Sequence, residues 1–459
     1  MGVYTTIDPA TGEQLAQYPE ITDGELNDLI GRSAAAYRSW RTTPLDQRRA
    51  VLSRAAQIHR EQADELAELI TLEMGKPIAQ ARGEVELVAS IYQYYADHAA
   101  EFMADEPLTI AGPGTAVVRT EPIGPLVGVM PWNYPYYQVA RFAAPNIALG
   151  NTIILKHARN CPQSALAVER VLAEAGLPEG VYVNAFISSV QVADAIADPR
   201  VQGVSITGSE KAGSAVGEVA GRHMKKVVLE LGGSDPFIVL DDADVGAAAK
   251  AAVVGRLANG GQACTASKRF IVEDAVYDEF VSKLVEGMAG WQPADPTAPE
   301  TKLGPLASDS GAKELDELVQ EAISHGAEVL LGGDRPNGAW YAPTVLARVT
   351  RGMRAYSEEL FGPVAVVYRA GSVGEAIDLA NDSPFGLASS VFTSDPERAD
   401  RVAEELETGM VWINSTSKSS PDLPFGGVKG SGVGRELARF GFDEFANKKL
   451  VRNPKGQQR

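Results

Sequence analysis

A thiol and a carboxylate, each set among glycines, are the groups in this chain best suited to covalent chemistry. Cys264 closes the run Gly260-Gly261-Gln262-Ala263-Cys264, and Glu230 opens Glu230-Leu231-Gly232-Gly233. A cysteine thiolate attacks carbonyl carbon. A carboxylate within reach takes a proton from the thiol or from a water. Glycines let backbone amides and a flat ligand approach closely. Taken singly, each group also has a plainer reading: Cys264 as a small buried hydrophobe, Glu230 as the solvated end of a strand.

Other groups gather around the same chemistry. In Pro131-Trp132-Asn133-Tyr134-Pro135, two prolines stiffen a turn and hold the Asn133 amide in one direction, as an oxyanion donor requires. The same asparagine is able instead to cap its own turn. Thr207-Gly208-Ser209 ends an expected strand and opens an expected helix, so its amides suit a pyrophosphate, or Ser209 is an ordinary helix cap. Lys156-His157-Ala158-Arg159 follows the apolar strand at residues 152–155, where side chains face the ligand crevice of a parallel sheet; the alternative is a solvated basic cluster. Glu359-Leu360-Phe361 sets an acid beside an aromatic ring, suited to a ribose or a nicotinamide. Gly430-Ser431-Gly432-Val433-Gly434 lacks the strand-to-helix setting of a dinucleotide fingerprint and reads as a turn.

These groups need a scaffold, and the hydrophobic pattern supplies one. Apolar residues recur at three and four through residues 23–98, as in helices. Residues 114–128 turn extended, as a hairpin arm or crossing strands. From residue 152, short apolar strands alternate with helices: strands at 152–155, 181–186, 203–206 and 227–229, helices at 163–175, 190–197 and 210–220. That alternation predicts an α/β fold with doubly wound parallel sheets. A second α/β unit is expected over residues 234–414. The polar tail after Asn447 is expected to dock on a partner or fray.

The 459 residues exceed one simple core, so two or three domains are expected. A formal net charge of -18 opposes nucleic acid and anionic membrane at long range, so neither is an expected partner. An anionic ligand would then need local cations or helix N-termini. Two cysteines suit a reducing cytoplasm, no apolar run matches a bilayer, and the first residues lack signal-peptide features. Five histidines without metal-ligand spacing argue against a metal site.

In order along the chain, Pro131–Pro135, Lys156, Thr207–Ser209, Glu230–Gly233, Gly261–Cys264, Glu359–Pro363 and Pro424–Gly427 resemble the aldehyde dehydrogenase superfamily over essentially its whole length. A narrower resemblance, to the shorter bacterial succinate-semialdehyde dehydrogenases, rests on residues 155–158, 230–239 and 434–437. The resemblance implies a cofactor domain (residues 1–103 and 124–232), a catalytic domain (233–430) and a small β oligomerisation arm (104–123 and 443–459) of a homodimer or homotetramer. It implies Cys264 as nucleophile, Glu230 as base for water, and Asn133 with the Cys264 N–H as oxyanion donors. Trp132, Asn133, Lys156, Gly208, Ser209, Leu231, Glu359 and Phe361 would line the cofactor. Where family members that prefer NAD commonly carry a glutamate, this chain has Arg159, which favours NADP while leaving NAD possible. Arg141, roughly 10 Å along a helix from Asn133, and Ser419 would hold the carboxylate of succinate semialdehyde. Glutarate semialdehyde or an aliphatic aldehyde are the alternative substrates, and a member without catalysis is the third reading.

Overall fold

The computed structural model describes residues 2–334 and 337–456. Two sheets face each other across a crevice, and the candidate groups lie at their facing edges.

The first sheet has six strands in the order Gly432–Val433, Lys226–Glu230, Gly203–Thr207, Pro125–Met130, Thr152–His157, Tyr182–Asn184. The last five run parallel, and Gly432–Val433 is antiparallel to Lys226–Glu230. Burial on both faces explains the continuous apolar runs: Ile153, Ile154 and Leu155 are all fully buried. Glu230 and Thr207 are the last residues of their strands, and Asn133 follows Met130 in the turn beyond its strand. All three therefore stand at the carboxyl ends of parallel strands, where α/β sheets bind ligands.

The second sheet has seven strands: Glu328–Leu331, Thr344–Ala347, Val364–Ala370, Ser267–Glu273, Asp235–Val239, Ala388–Phe392 and Met410–Ile413. Only Glu328–Leu331 runs antiparallel to its neighbour. Cys264 lies in the turn just before Ser267–Glu273. The crevice thus joins the carboxyl edge of one sheet to the entry of a strand in the other.

The four helices Asp23–Trp40, Leu45–Glu61, Ala63–Met74 and Ile78–Phe102 fill the helical stretch at residues 23–98. Gly75, at a φ of 75°, ends the third where Gly-Lys-Pro punctuates the sequence. An N-terminal hairpin, Val3–Ile7 with Gln14–Pro19, was not part of the expected pattern. The tail does not fray: Ala446–Asn453 pairs along all eight residues with Thr115–Pro122, which also pairs with Glu106–Pro107. This three-stranded antiparallel sheet occupies the segments expected to form an arm, whose last three positions, 457–459, lie outside the described residues. The Gly430–Gly434 cluster is a turn, as expected, joining the short strands Val428–Lys429 and Gly432–Val433.

Candidate active site

A cavity of about 250 Å³ opens at the crevice, and its lining includes Trp132, Asn133, Gly208, Ser209, Leu231, Cys264, Glu359 and Phe361. It gathers eight of the residues singled out from sequence. A larger space of about 650 Å³ shares Trp132, Ser209, Glu359 and Phe361 with it, so the two adjoin.

Asn133 is aimed from both sides. Its Nδ2 donates to the Gln262 carbonyl at 3.1 Å, and its own carbonyl accepts from Asn259 Nδ2 at 2.9 Å. A primary amide carries two N–H bonds. One is held by Gln262, which leaves the second for the cavity. Asn259 adopts a left-handed backbone, with φ of 53°, a conformation asparagine tolerates better than most residues. Gln262 is tied down in turn, with Oε1 accepting from Ala307 N–H at 2.8 Å.

The Cys264 loop is held from beneath by a residue the sequence reading passed over. Lys268 Nζ donates to the carbonyls of Ala263, Cys264 and Ala266 at 3.2, 3.0 and 3.2 Å, and pairs with Glu359 at 3.2 Å. Glu359 also accepts from Gly233 N–H at 3.1 Å. A Cβ on Gly233 would stand 2.5 Å from the Cys264 carbonyl, so the Glu-Leu-Gly-Gly motif reflects close backbone contact between the two loops. Burial pushes the Cys264 thiol up to about 12; Arg141 partly opposes that shift and Glu359 adds to it. Part of the residue remains accessible at the cavity.

Glu230 is not on the cavity wall. Its carboxylate is buried, neither oxygen has a hydrogen-bond partner among the described residues, and it faces Gly426. Gly426, in the Pro-Phe-Gly-Gly motif, has φ of 150°, and a Cβ there would stand 2.7 Å from Glu230 Oε1. Burial raises its pKa well above the usual carboxylate range, with Arg141 opposing. An unpartnered buried carboxyl of raised pKa holds a proton more tightly than a solvated one, which suits a proton acceptor. To meet a water at Cys264, its side chain must turn from Gly426 toward the cavity.

Arg141 does not reach the cavity either. It is fully buried in the helix Tyr137–Leu149 and ion-paired with Glu436. Its other nitrogens donate to Tyr137 Oη at 3.3 Å and Thr207 Oγ1 at 3.1 Å. Tyr137 Oη donates to Ser419 Oγ at 2.7 Å. The expected pair, Arg141 and Ser419, is therefore linked through a tyrosine whose hydroxyl the sequence reading did not use. Arg159 also departs from expectation: it is ion-paired with Glu20 and stands 5.3 Å from the Tyr4 ring, held by the N-terminal hairpin. A glutamate distant in sequence is not visible to motif reading.

The site suits an elongated anionic cofactor. Ser209 caps the helix Glu210–Arg222, accepting from Ala212 N–H, and the first-turn amides with the helix dipole favour phosphate. Glu210, in that same turn, has a buried unpartnered Oε1 and opposes an anion there. Lys156, in the strand Thr152–His157, has no hydrogen bond or ion pair with any described residue, and burial lowers its pKa to about 8. Trp132 and Phe361 meet edge to face at 5.7 Å between centroids, forming an apolar wall for a planar ring. An ammonium without a hydrogen bond or ion pair, 5.8 Å from the Tyr4 ring, a helix N-terminus and an aromatic wall fit the ribose–phosphate end and the ring end of a nicotinamide dinucleotide.

The aldehyde dehydrogenase family profile matches residues 2–451. The NADP-dependent succinate-semialdehyde dehydrogenase of Deinococcus radiodurans is 55% identical over 452 residues, 98% of this chain and 94% of that protein. One from Mycobacterium tuberculosis is 45% identical over 451 residues, covering 97% and 98%. The crystal structure of the Streptococcus pyogenes succinic semialdehyde dehydrogenase in complex with NADP+ superposes with a TM-score of 0.96 at 44% identity, over 98% of this chain and 99% of that one. With the thiol, the amide and the two facing sheets arranged as described, the chain belongs to the aldehyde dehydrogenase family.

Proposed function

We propose that this protein oxidises succinate semialdehyde to succinate with NADP through a covalent Cys264 intermediate. The observation that carries the reading is the convergence of the Cys264 thiol and the Asn133 amide on one cavity, beside a helix N-terminus. The Cys264 thiol loses its proton to solvent, and the resulting thiolate attacks the aldehyde carbon. The free Nδ2–H of Asn133 and the Cys264 backbone N–H, which has no partner among the described residues, receive the oxyanion. Lys156, Ser209 and the Trp132–Phe361 wall would hold NADP, which when bound would supply the hydride acceptor. The acyl group is left as a thioester on Cys264. Glu230 swings from Gly426, takes a proton from water, and the hydroxide releases the carboxylic acid. Reduction of NADP by purified protein, assayed over a panel of aldehydes, tests the reading; a folded protein that reduces neither NADP nor NAD with any of them would remove it.

The substrate assignment draws on the named relatives and on the Arg141–Tyr137–Ser419 chain. Arg141 lends positive charge to two hydroxyls, which would meet the far carboxylate of the substrate. Arg141→Ala is a poor probe, because it strands the buried Glu436 charge. Ser419→Ala and Tyr137→Phe are better. Each should raise KM for succinate semialdehyde about tenfold or more, the scale of a hydrogen bond to a charged group, and leave KM for butanal nearly unchanged. Equal losses for both aldehydes would assign these hydroxyls to the fold.

For the cofactor, Lys156→Met should weaken NADP binding roughly ten- to a hundredfold, with a smaller change for NAD. Arg159→Gln should do less, because Glu20 already answers that charge. A lysine lowered to about 8 is cationic below that pH. NADP affinity of the wild type should therefore fall as pH rises past about 8, and Lys156→Met should lose this dependence. Fluorescence titration across pH 6.5–9.5 reads both effects; a wild-type slope retained in the variant would place the titrating group elsewhere.

We read the three-stranded sheet, which exposes Leu450 at 61%, as the surface of a homodimer or homotetramer. Two free cysteines, and no described helix long and apolar enough to cross a membrane, support a cytoplasmic location.

A further inference from the structure

The helix Tyr137–Leu149 begins just after the turn that carries Asn133, yet its own sequence does not cap it: Tyr136 makes no side-chain cap bond. The cap comes from a distant part of the chain. Glu84 Oε1 accepts from the N–H groups of Tyr136 at 3.0 Å and Tyr137 at 3.1 Å. Glu84 Oε2 is ion-paired with Lys76, and the two side chains are 0% and 1% exposed. Lys76 Nζ also stands 3.6 Å from the centroid of the Tyr134 ring, the residue next to Asn133. The pair therefore grips the turn on the C-terminal side of Asn133 at three points, one aromatic face and two amides. Taking two charges out of water is costly, and an apolar pair of similar volume packs as well or better. Packing alone does not explain the pair; direction does.

The helix Ile78–Phe102, which carries Glu84, reaches the other side of the site. Gln80 Oε1 accepts from Asn259 N–H at 2.7 Å, and Asn259 Nδ2 holds the Asn133 carbonyl. Asn133 is thus bounded by the nucleophile loop on one side and by a buried ion pair on the other.

We propose that Lys76 and Glu84 are positioning residues for the oxyanion site, fixing the backbone beyond Asn133 so that its second Nδ2–H points at the oxygen on the carbon that Cys264 attacks. The inference rests on the reading of Asn133 as oxyanion donor given above. An error near 1 Å in such a donor costs up to about a hundredfold in rate.

A double-mutant cycle in the full-length enzyme tests it. Glu84→Gln keeps an oxygen for the two amides but removes the charge facing Lys76. It should lower kcat about ten- to a hundredfold, with KM for the aldehyde and Kd for NADP within about twofold. In an Asn133→Ala background the same substitution should cost nothing further, because the donor it aims is already gone. Lys76→Met combined with Glu84→Gln enters the same cycle if the single variant does not fold, and Lys76→Arg should retain most of kcat. Equal factors in both backgrounds would make the pair a scaffold element and overturn the proposal, as would an unchanged kcat in folded Glu84→Gln. If Asn133→Ala itself leaves kcat intact, the oxyanion assignment falls, and the positioning role falls with it. If Asn133→Ala is slow and the factors multiply, only the positioning role is lost.

Discussion

Cys264→Ser is expected to bind NADP normally and to lose aldehyde oxidation by several orders of magnitude. The reason lies in the ionisation of the attacking group. Burial already pushes the thiol up to about 12, so only a small fraction of it is ionised near pH 8. A serine hydroxyl ionises far less readily. The same value gives a second signature. Alkylation of Cys264 by iodoacetamide should accelerate about tenfold per pH unit between pH 7 and 10, because the rate follows the thiolate fraction. Arg141 is the largest influence in the opposite direction. Stopped-flow reduction of NADP and the alkylation series read the two effects separately. Normal turnover in Cys264→Ser would end the covalent assignment, and alkylation independent of pH would mean that the thiol is already ionised.

Glu230→Gln should separate the two halves of the reaction. Acylation of Cys264 does not need the carboxylate to reach the cavity, whereas release of the thioester needs an activated water. A burst of about one reduced cofactor per active site should precede a steady state slower by roughly two to four orders of magnitude, the range of general-base contributions. Structure adds a prediction on stability. The folded-state pKa of Glu230 is raised by burial. A raised carboxyl contributes stability that is full below its unfolded pKa and is lost as pH rises through the folded one. Glutamine does not titrate, so the gap in Tm between Glu230→Gln and wild type should move in favour of the variant as pH rises from 5 to 9. An unchanged steady state would hand the base role to another group, and a constant gap in Tm would show that Glu230 is ionised throughout.

Motifs with short-range causes were legible in the sequence. The Asn133 turn, the Ser209 cap, the Cys264 loop and the strand ends all depend on residues a few positions apart, and they occupy the cavity together. The parallel strands were legible because burial on both faces leaves apolar runs. Long-range pairings were not. Glu20 claims Arg159, Glu436 claims Arg141, and Glu84 caps a helix that starts 53 positions later. A charged residue advertises its need for a partner but not the partner's position. The eight-residue pairing of the tail was missed for a similar reason: Ala446–Asn453 carries three cations and shows little apolar alternation, so its strand character comes from Thr115–Pro122.

The turn at residues 428–433 has a mechanical consequence. Val428–Lys429 pairs with Phe385–Gly386, which leads into the catalytic sheet, and Gly432–Val433 pairs with the strand that ends in Glu230. Between them, Ser431 Oγ accepts from Gly386 N–H and donates to the Gly232 carbonyl, at 3.0 and 2.7 Å. Six residues rivet the walls of the crevice to each other within reach of the reacting groups. Opening the crevice like a clamshell would tear both short ladders and strand buried polar groups. Passage of substrate and water is therefore left to side chains turning inside a stiff frame, and the proposed swing of Glu230 past Gly426 is one such turn.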